Sequence, residues 1–212
     1  MSSVQLILGA GHLDRIIPDA DELLRRYRAD TGCWYLDYES SISKTVLTPE
    51  DLAVTLLLNS RVSGRAFVSL QKNGPTINLA DLPQKPLERT TVEERREVAT
   101  FIATIATWPG FAASVATKVL HKKRPDLIPI LDNQAIFGAY MNTDWPEKAA
   151  RTESIKRSDQ IFPALDWIAF DITRPENEFA WESLQAIEPS RTRIQLFDSV
   201  WWMYFRTIEP VR

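Results

Sequence analysis

The chain of 212 residues contains few of the side chains that hold metals or form disulfides. Cys33 is its single cysteine, and His12 and His121 are its two histidines. One thiol permits neither an internal disulfide nor a four-cysteine iron–sulfur cluster, and two distant histidines offer no recognisable zinc-ligand spacing. The sequence therefore predicts a protein that works without a metal and without a cofactor.

Long apolar runs are also absent. No stretch reaches the roughly 18 apolar residues that span a bilayer, and the N-terminus lacks the basic start and apolar core of a signal peptide. Hydrophobic residues make up 44% of the chain and charged residues 25%, which is ordinary for one globular domain. We therefore expect a monomeric single domain over residues 1–212, located in the cytoplasm and not bound to membranes.

Strand patterns are scarce, whereas helical spacing of apolar residues recurs along the chain. This spacing, together with capping and breaking residues, predicts helices near 20–28, 49–58, 61–70, 92–106, 113–120, 133–141, 154–170 with a break at Pro163, 177–187 and 191–205. The sequence thus predicts an all-α fold whose two lobes flank a cleft, with room for a small N-terminal sheet.

Residues 108–132, WPGFAASVATKVLHKKRPDLIPILD, are the most informative segment. Pro109 and Gly110 end the preceding helix, because proline lacks an amide donor and glycine frees the backbone. The unpaired amides at the start of the next helix favour an anion such as a phosphate. Basic residues near a helix C-terminus also commonly just complement the helix dipole. The candidate phosphate-contacting residues here are Gly110, Ala112, Ser114, Lys118, His121, Lys122 and Lys123.

Asp132 follows an apolar run and precedes a further helical pattern at Ile136, Phe137 and Tyr140. An aspartate in this position is well placed to cap a helix, a role worth about 0.5 to 2 kcal/mol. Taken alone, the capping role is the favoured interpretation of Asp132.

The turn at 108–112 and the aspartate that follows it at Asp132 resemble the signature of the helix-hairpin-helix DNA glycosylase superfamily. In that superfamily a Leu-Pro-Gly-Val-Gly-type hairpin precedes a catalytic aspartate by about this interval. The resemblance implies a catalytic segment over 95–141 in a two-lobed helical fold, with Asp132 as the catalytic carboxylate. Some of these glycosylases carry an iron–sulfur cluster, which a chain with one cysteine cannot hold.

Two positions depart from the superfamily's pattern. Ala112 replaces the second hairpin glycine, and Ser114 occupies the position at which lyase-active members carry a lysine. The resemblance therefore implies hydrolysis of the base–sugar bond without strand cleavage. Lys118, one turn beyond Ser114 on the same helical face, is the amine that would change this expectation.

An upstream element supports the same resemblance. Residues 48–51, TPED, open a helix with proline in its first turn, and the loop at 59–63 follows that helix. This loop resembles the one from which the superfamily inserts a polar side chain into the duplex space left by a flipped nucleotide. Arg61 would be that residue, although an arginine considered alone is more commonly a surface residue.

More of the chain resembles a set of uncharacterised bacterial proteins. The shared elements read TPEDLAVTLLL at 48–58, HKKRPDLIPILDNQ at 121–134 and RIQLFDSVWWM at 193–203. These proteins provide no function to carry over. The resemblance spans most of the chain and so implies one continuous domain.

A flipped base needs aromatic faces for stacking and a few polar groups for its hydrogen-bonding edge. The aromatic and acidic run at 34–38 and the end of the last helix both offer such side chains, although aromatic residues more often fill the core of a helical protein. The candidate base-pocket residues are Trp34, Tyr35, Asp37, Tyr38, Asp198 and Trp202.

These features together predict a monofunctional DNA glycosylase that acts on double-stranded DNA containing a damaged or modified base. The hypermodified bases of bacteriophage DNA are one candidate substrate. Two alternatives stay open: a non-catalytic DNA-binding protein in which Asp132 is only a cap, and a helical protein that binds another protein. The net charge of -3 does not favour nucleic acid, although local cationic clusters can set the field at a contact surface.

Overall fold

A computed structural model describes residues 3–31, 34–38, 45–58, 60, 62–148, 150 and 154–209. Over these residues the fold is helical, with one two-stranded sheet near the N-terminus. The expected all-α fold with a small N-terminal sheet is confirmed. No helix in this part of the chain is long and apolar enough to cross a membrane.

Two short strands, β1 (Leu6–Leu8) and β2 (Arg15–Ile17), pair in antiparallel fashion. The helices that follow are α1 (Ala20–Thr31), α2 (Trp34–Asp37), α3 (Ala53–Leu57), α4 (Gly64–Asn73), α5 (Val92–Ala106), α6 (Ala113–Lys123), a π-helix (Asn133–Tyr140), α7 (Ser158–Thr173), α8 (Glu178–Ile187) and α9 (Arg193–Ile208). Short 3₁₀ turns lie at Pro49–Leu52, Gly74–Thr76, Leu79–Asp81, Leu87–Arg89 and Pro175–Asn177.

Several helices differ from the sequence-based expectation: the predicted helix at 49–58 divides into a 3₁₀ turn and α3, α4 lies at 64–73 instead of 61–70, and α2 was not predicted. Helix α7 continues through Pro163, so the predicted break is wrong. Proline removes one backbone bond, the one to Asp159 four residues earlier, and the flanking residues continue the helix. The segment after Asp132 is a π-helix, in which the Phe137 amide donates to the Asp132 carbonyl five residues earlier at 3.2 Å. Such wide turns occur frequently at functional sites.

Two buried polar side chains, Asp171 and Asn177, link the N-terminal strands to the C-terminal helices through hydrogen bonds. Asp171 of α7 accepts hydrogen bonds from the amides of Gly9 and Ala10, at 2.6 and 3.0 Å, and from the Tyr140 hydroxyl at 2.7 Å. Asn177 pairs with the backbone of Ile7 as a neighbouring strand would, donating and accepting at 2.8 Å. These bonds join the two ends of the described chain in one unit.

The C-terminal end of the π-helix is held by Arg15 of β2. Its guanidinium donates to the carbonyls of Tyr140, Asn142 and Trp145 at 2.8 to 3.1 Å. The Tyr140 carbonyl is one that a helix end leaves without a backbone partner, the other two belong to the turn that follows, and a cation there also complements the helix dipole. The N-terminal sheet thereby fixes the far end of the helix that begins at Asp132.

Helix α9 packs along the other side of the π-helix. The ring of Trp201 is buried against Tyr140 and Trp145, and its indole nitrogen donates to the Ala135 carbonyl at 2.6 Å. This hydrogen bond fixes how α9 faces the start of the π-helix. The neighbouring positions of α9 are thereby directed toward Asp132.

We expect Asp171→Ala to destabilise the fold by about 3 kcal/mol, because it leaves two buried amides and a hydroxyl without their acceptor. Urea denaturation measures the loss. The matched control on the same helix is Asp166→Ala, which removes a half-exposed partner of Arg95 and should cost less than about 1 kcal/mol. Equal losses for the two variants would contradict the anchoring role of Asp171.

The contribution of Asp171 should also depend on pH. Burial raises the pKa of this carboxyl to about 6, against hydrogen bonds that lower it. The unfolded chain titrates near 3.9, so the folded protein holds the proton more tightly. The stabilisation from Asp171 is therefore full below about pH 4 and declines as the pH rises toward 6. Urea titrations of the wild type and Asp171→Ala should show the stability difference narrowing over this interval; a constant difference would contradict the assignment.

Candidate functional site

A cavity of about 400 Å³ opens beside Asp132. Helices α1, α2 and α9 contribute to its lining, as do the end of α3, residue 60, α6 and the start of the π-helix. It brings together five predicted site residues that are far apart in the sequence: Tyr35, Lys118, Asp132, Asp198 and Trp202. The cavity thus has a lining drawn from most of the chain, and the division into two lobes stays a prediction.

The two oxygens of the Asp132 carboxylate have different partners. Its Oδ1 accepts hydrogen bonds from the amides of Gln134 and Ala135, at 2.9 and 3.1 Å, and so caps the π-helix. Its Oδ2 lies 3.4 Å from the ammonium nitrogen of Lys118, and 22% of the side chain is exposed. The cap fixes the carboxylate while leaving one oxygen at the cavity.

Lys118 is nearly buried, and its ammonium group is shared between two partners at the cavity. It donates to Asp132 and to the hydroxyl of Ser60, which lies between α3 and α4. Sequence reasoning missed Ser60, because a serine in a polar loop carries no distinguishing signal and its partner is 58 residues away. The result is a small charged cluster of Ser60, Lys118 and Asp132.

Asp198 occupies a different environment in the same cavity. Its Oδ2 accepts a hydrogen bond from the Ile130 amide at 3.1 Å, and only 8% of the side chain is exposed. Burial raises the pKa of this carboxyl well above its usual range, opposed by the single bond from Ile130. The carbonyl of Ile130 accepts from the Asp132 amide, also at 3.1 Å. One backbone residue therefore contacts both cavity aspartates.

His121 lies beside Asp198 without forming a charged pair with it. The Nδ1 atom of His121 is 2.7 Å from the Ile128 carbonyl and 3.7 Å from the Asp198 carboxylate. Burial lowers the pKa of His121 to about 4, so the imidazole is neutral at pH 7. The nearer carbonyl fixes the hydrogen on Nδ1.

The predicted base-pocket residues divide into two groups. Tyr35 is buried and lines the cavity together with Trp202, and Tyr27, which sequence reasoning missed, joins them. Trp34 is 67% exposed and lies outside the cavity lining, and the Tyr38 hydroxyl donates to a backbone carbonyl at Glu50 instead. Adjacent positions on a helix are about 100° apart, so α2 directs its aromatic residues to different surroundings. The placement of Trp34 and Tyr38 in the pocket is therefore corrected, whereas the Asp37 side chain lies outside the described part.

The turn between α5 and α6 packs against the start of α4. Gly110 has a φ of +88°, and a Cβ there would lie 2.5 Å from the Ala66 amide nitrogen and 2.8 Å from the Ser63 hydroxyl. The Pro109 carbonyl accepts from the Ser69 hydroxyl at 2.9 Å. Ala112, by contrast, has an extended backbone with φ of -146° that any residue adopts. The absence of glycine at Ala112 therefore imposes no backbone strain.

The first amides of α6 are not all paired. The Ala113 amide donates to the Ile155 carbonyl at 2.8 Å, whereas the amides of Ser114 and Val115 have no acceptor among the described residues. The side chain of Ser114 is buried and does not line the cavity. Two free amides are consistent with an anion at this turn, and a phosphate contact stays a prediction.

The basic residues at the end of α6 do not form the expected exposed cluster. Lys123 makes an ion pair with Asp51 at 2.9 Å, with both side chains almost completely buried. Lys122 donates to the Tyr35 carbonyl at 2.7 Å, and His121 is 1% exposed. The expectation that His121 and Lys123 contact DNA from the surface is corrected, because both side chains are buried. Lys122 is partly exposed, and its contact with DNA stays a prediction. Arg61 lies outside the described residues.

The Asp51–Lys123 pair is testable by substitution. Lys123→Met leaves the buried carboxylate of Asp51 without its cationic partner and should destabilise the protein by about 3 to 5 kcal/mol in urea denaturation. Lys148→Met is the matched control, because Lys148 is 74% exposed and pairs only with Asp144 at the surface. Unchanged stability of Lys123→Met, with weakened DNA binding, would instead favour a surface contact.

Comparison with known proteins identifies the family of this chain. Residues 20–205 match the model of a family described as "Family of unknown function (DUF6308)". The match covers most of the chain, which therefore belongs to this family. No curated protein and no solved structure matches the chain. Among the described residues, no group of three histidine, cysteine or acidic side chains is placed to hold a metal ion.

Proposed function

We propose that this protein is a monofunctional DNA glycosylase and that Asp132 is its catalytic carboxylate. The observation that supports the proposal most strongly is that the two carboxylate oxygens of Asp132 have different partners. One oxygen is fixed by two backbone amides, and the other faces Lys118 at an aromatic-lined cavity. Breaking a base–sugar bond develops positive charge on the sugar, and a carboxylate held in place stabilises that charge.

The cavity suits an extruded base. Its volume of about 400 Å³ is within the range of small-molecule sites, and Tyr35 and Trp202 offer aromatic faces. Extruding a nucleotide costs a few kcal/mol, and stacking on an aromatic side chain returns about 1 to 3 kcal/mol per base. Asp132 would then lie at the sugar, where it stabilises the cation and orients the water that adds to C1′.

The surroundings of Lys118 favour hydrolysis over attack by the amine. Its ammonium group is engaged by Asp132 and Ser60, and an ammonium ion has no lone pair for attack on a sugar carbon. Water is then the nucleophile. The products are the free base and an intact strand with an abasic site.

The proposed partner is double-stranded DNA with a damaged or modified base, bound by a cytoplasmic monomer. The free amides of Ser114 and Val115 and the exposed turn at Gly110 are the described features that suit a phosphate. With a net charge of -3, few backbone contacts are expected, so binding should be weak and sensitive to salt.

Asp132→Asn is the sharpest test, because asparagine retains an oxygen that can accept the two capping amides and removes the negative charge. We expect abasic-site formation on a panel of damaged and phage-modified duplexes to fall by at least about 100-fold. Thermal unfolding and duplex binding should stay close to those of the wild type. Asp159→Asn, at the exposed start of α7 and outside the cavity lining, is the matched control and should stay active.

The capping bonds of Asp132 also favour a second candidate, a non-catalytic DNA-binding protein. In that case both the wild type and Asp132→Asn bind duplex DNA in a salt-dependent manner and neither releases a base. Binding without base release across the panel would replace the glycosylase proposal with this one. If the wild type neither bound duplex DNA nor released a base, a protein-binding function would be favoured.

We further expect no covalent enzyme–DNA intermediate. Treatment of a reacting mixture with borohydride should trap no adduct, because water rather than the Lys118 amine attacks the sugar. Electrophoresis and mass spectrometry of the protein provide the measurement. A trapped adduct that disappears in Lys118→Gln would overturn the monofunctional assignment and identify Lys118 as a nucleophile.

A further inference from the structure

Two carboxyl groups line the cavity in opposite environments. Asp132 accepts two amide bonds and lies beside a lysine. Asp198 accepts one amide bond, is almost completely buried, and has no lysine or arginine within ion-pair distance among the described residues. A cavity that holds one carboxyl beside a lysine and the other buried without a lysine or arginine at ion-pair distance separates the pKa values of the two carboxyls.

The groups that face Asp198 do not compensate a negative charge on it. His121 is neutral at pH 7 because burial lowers its pKa, and Tyr35 is neutral as well because burial raises its pKa. The titratable or charged residues around Asp198 and its neighbour Tyr35 are Tyr27, Asp30, Tyr35, Lys118, His121, Asp132, Arg191 and Arg206. The guanidinium of Arg191 donates to the Ser199 hydroxyl at 3.1 Å and lies 3.7 Å from the Glu188 carboxylate.

We propose that Asp198 is a second catalytic residue, a general acid that protonates the departing base while Asp132 stabilises the sugar. This inference rests on the proposed glycosylase function. In this scheme Asp132 acts on the sugar and Asp198 acts on the base, the two groups joined by the bond that breaks.

The placement of the two carboxyls supports this division. Ile130 binds Asp198 through its amide and Asp132 through its carbonyl. Two residues of chain span at most about 7 Å, so the two aspartates are held at neighbouring points of the lining. Tyr35 lies near Asp198, and Trp202 follows Asp198 by one turn of α9, whereas Lys118 binds Asp132. A nucleotide whose sugar meets Asp132 would therefore present its base to Asp198.

The step balances without a further reactant. The Asp198 carboxyl transfers its proton to an acceptor atom of the base as the bond between C1′ and the base nitrogen breaks, and the electron pair of that bond leaves with the base. Water then adds its oxygen to C1′ and releases a proton. That proton returns to the Asp198 carboxylate through solvent, so the net reaction consumes one water molecule.

Among the described lining residues, Lys118 and Tyr35 are less suited than Asp198 to this proton transfer. The ammonium group of Lys118 is bound by Asp132 and Ser60, and the hydroxyl of Tyr35 is a very weak acid because burial raises its pKa. Burial likewise keeps the proton on Asp198 at a pH where an exposed carboxyl has lost it. Asp198 therefore combines a transferable proton with a position beside the aromatic residues.

The test compares Asp198→Asn with the wild type in single-turnover base release between pH 5 and 9. The variant keeps an oxygen for the Ile130 amide but cannot serve as an acid. For a neutral base we expect its rate to fall about 100-fold or more. The wild-type rate should decline on the alkaline side, and this decline should be absent in the variant. Asp159→Asn, at the exposed start of α7 and outside the cavity lining, should retain the wild-type profile.

A duplex containing 7-methylguanine separates acid catalysis from a merely structural role. This base already carries a positive charge and leaves without a proton, so Asp198→Asn should release it within a few-fold of the wild-type rate. Equal loss on neutral and charged bases would overturn the acid role. Wild-type activity on neutral bases in Asp198→Asn would also overturn it, with the glycosylase function intact.

The protonation of Asp198 can also be measured without any substrate. Carbon-13 NMR titration of the side-chain carboxyls in the free protein reports the protonation of Asp198 directly. A midpoint near 4, as in an exposed aspartate, would overturn the acid role whatever the activity. If the wild type released no base from any duplex, the glycosylase function and the acid role of Asp198 would both be overturned.

Discussion

The site depends on the contacts made by the backbone around Ile130. Its amide binds Asp198 of α9, its carbonyl binds the amide of Asp132, and Asp132 then opens the π-helix. Two carboxyl groups from distant parts of the chain are thereby fixed in one lining. Rotation of this segment would release both at once, which is why the surrounding structure holds it so firmly.

Several independent contacts supply that rigidity. Arg15 binds the far end of the π-helix, Trp201 binds its first turn, and the Thr117 hydroxyl accepts from the Leu131 amide at 3.0 Å. The N-terminal strands and the C-terminal helices therefore support the same short segment. In this arrangement, the buried polar groups position the cavity as well as stabilise the fold.

The position of α6 explains which basic residues are available for function. Because most of this helix is buried, Lys123 pairs with Asp51 inside the protein, and the partly exposed Lys122 donates to the backbone carbonyl of Tyr35. Lys118 is the cation of α6 that reaches the cavity, and it does so beside Asp132. A run of cations in a sequence thus reveals little about surface charge until the burial of its helix is known.

The sequence by itself determined the helices and the local role of Asp132, because both follow from interactions between residues close in the chain. Apolar spacing, capping residues and the proline–glycine turn predicted α5, α6 and the cap with nearly correct bounds. Only the tertiary structure decided that Ser60 and Tyr27 join the cavity, that Trp34 and Tyr38 do not, and that Asp198 is buried without a cation. Those outcomes depend on contacts between residues that are far apart in the chain, such as Ser60 and Lys118, 58 positions apart, and Ile130 and Asp198, 68 apart, for which local pattern carries no signal.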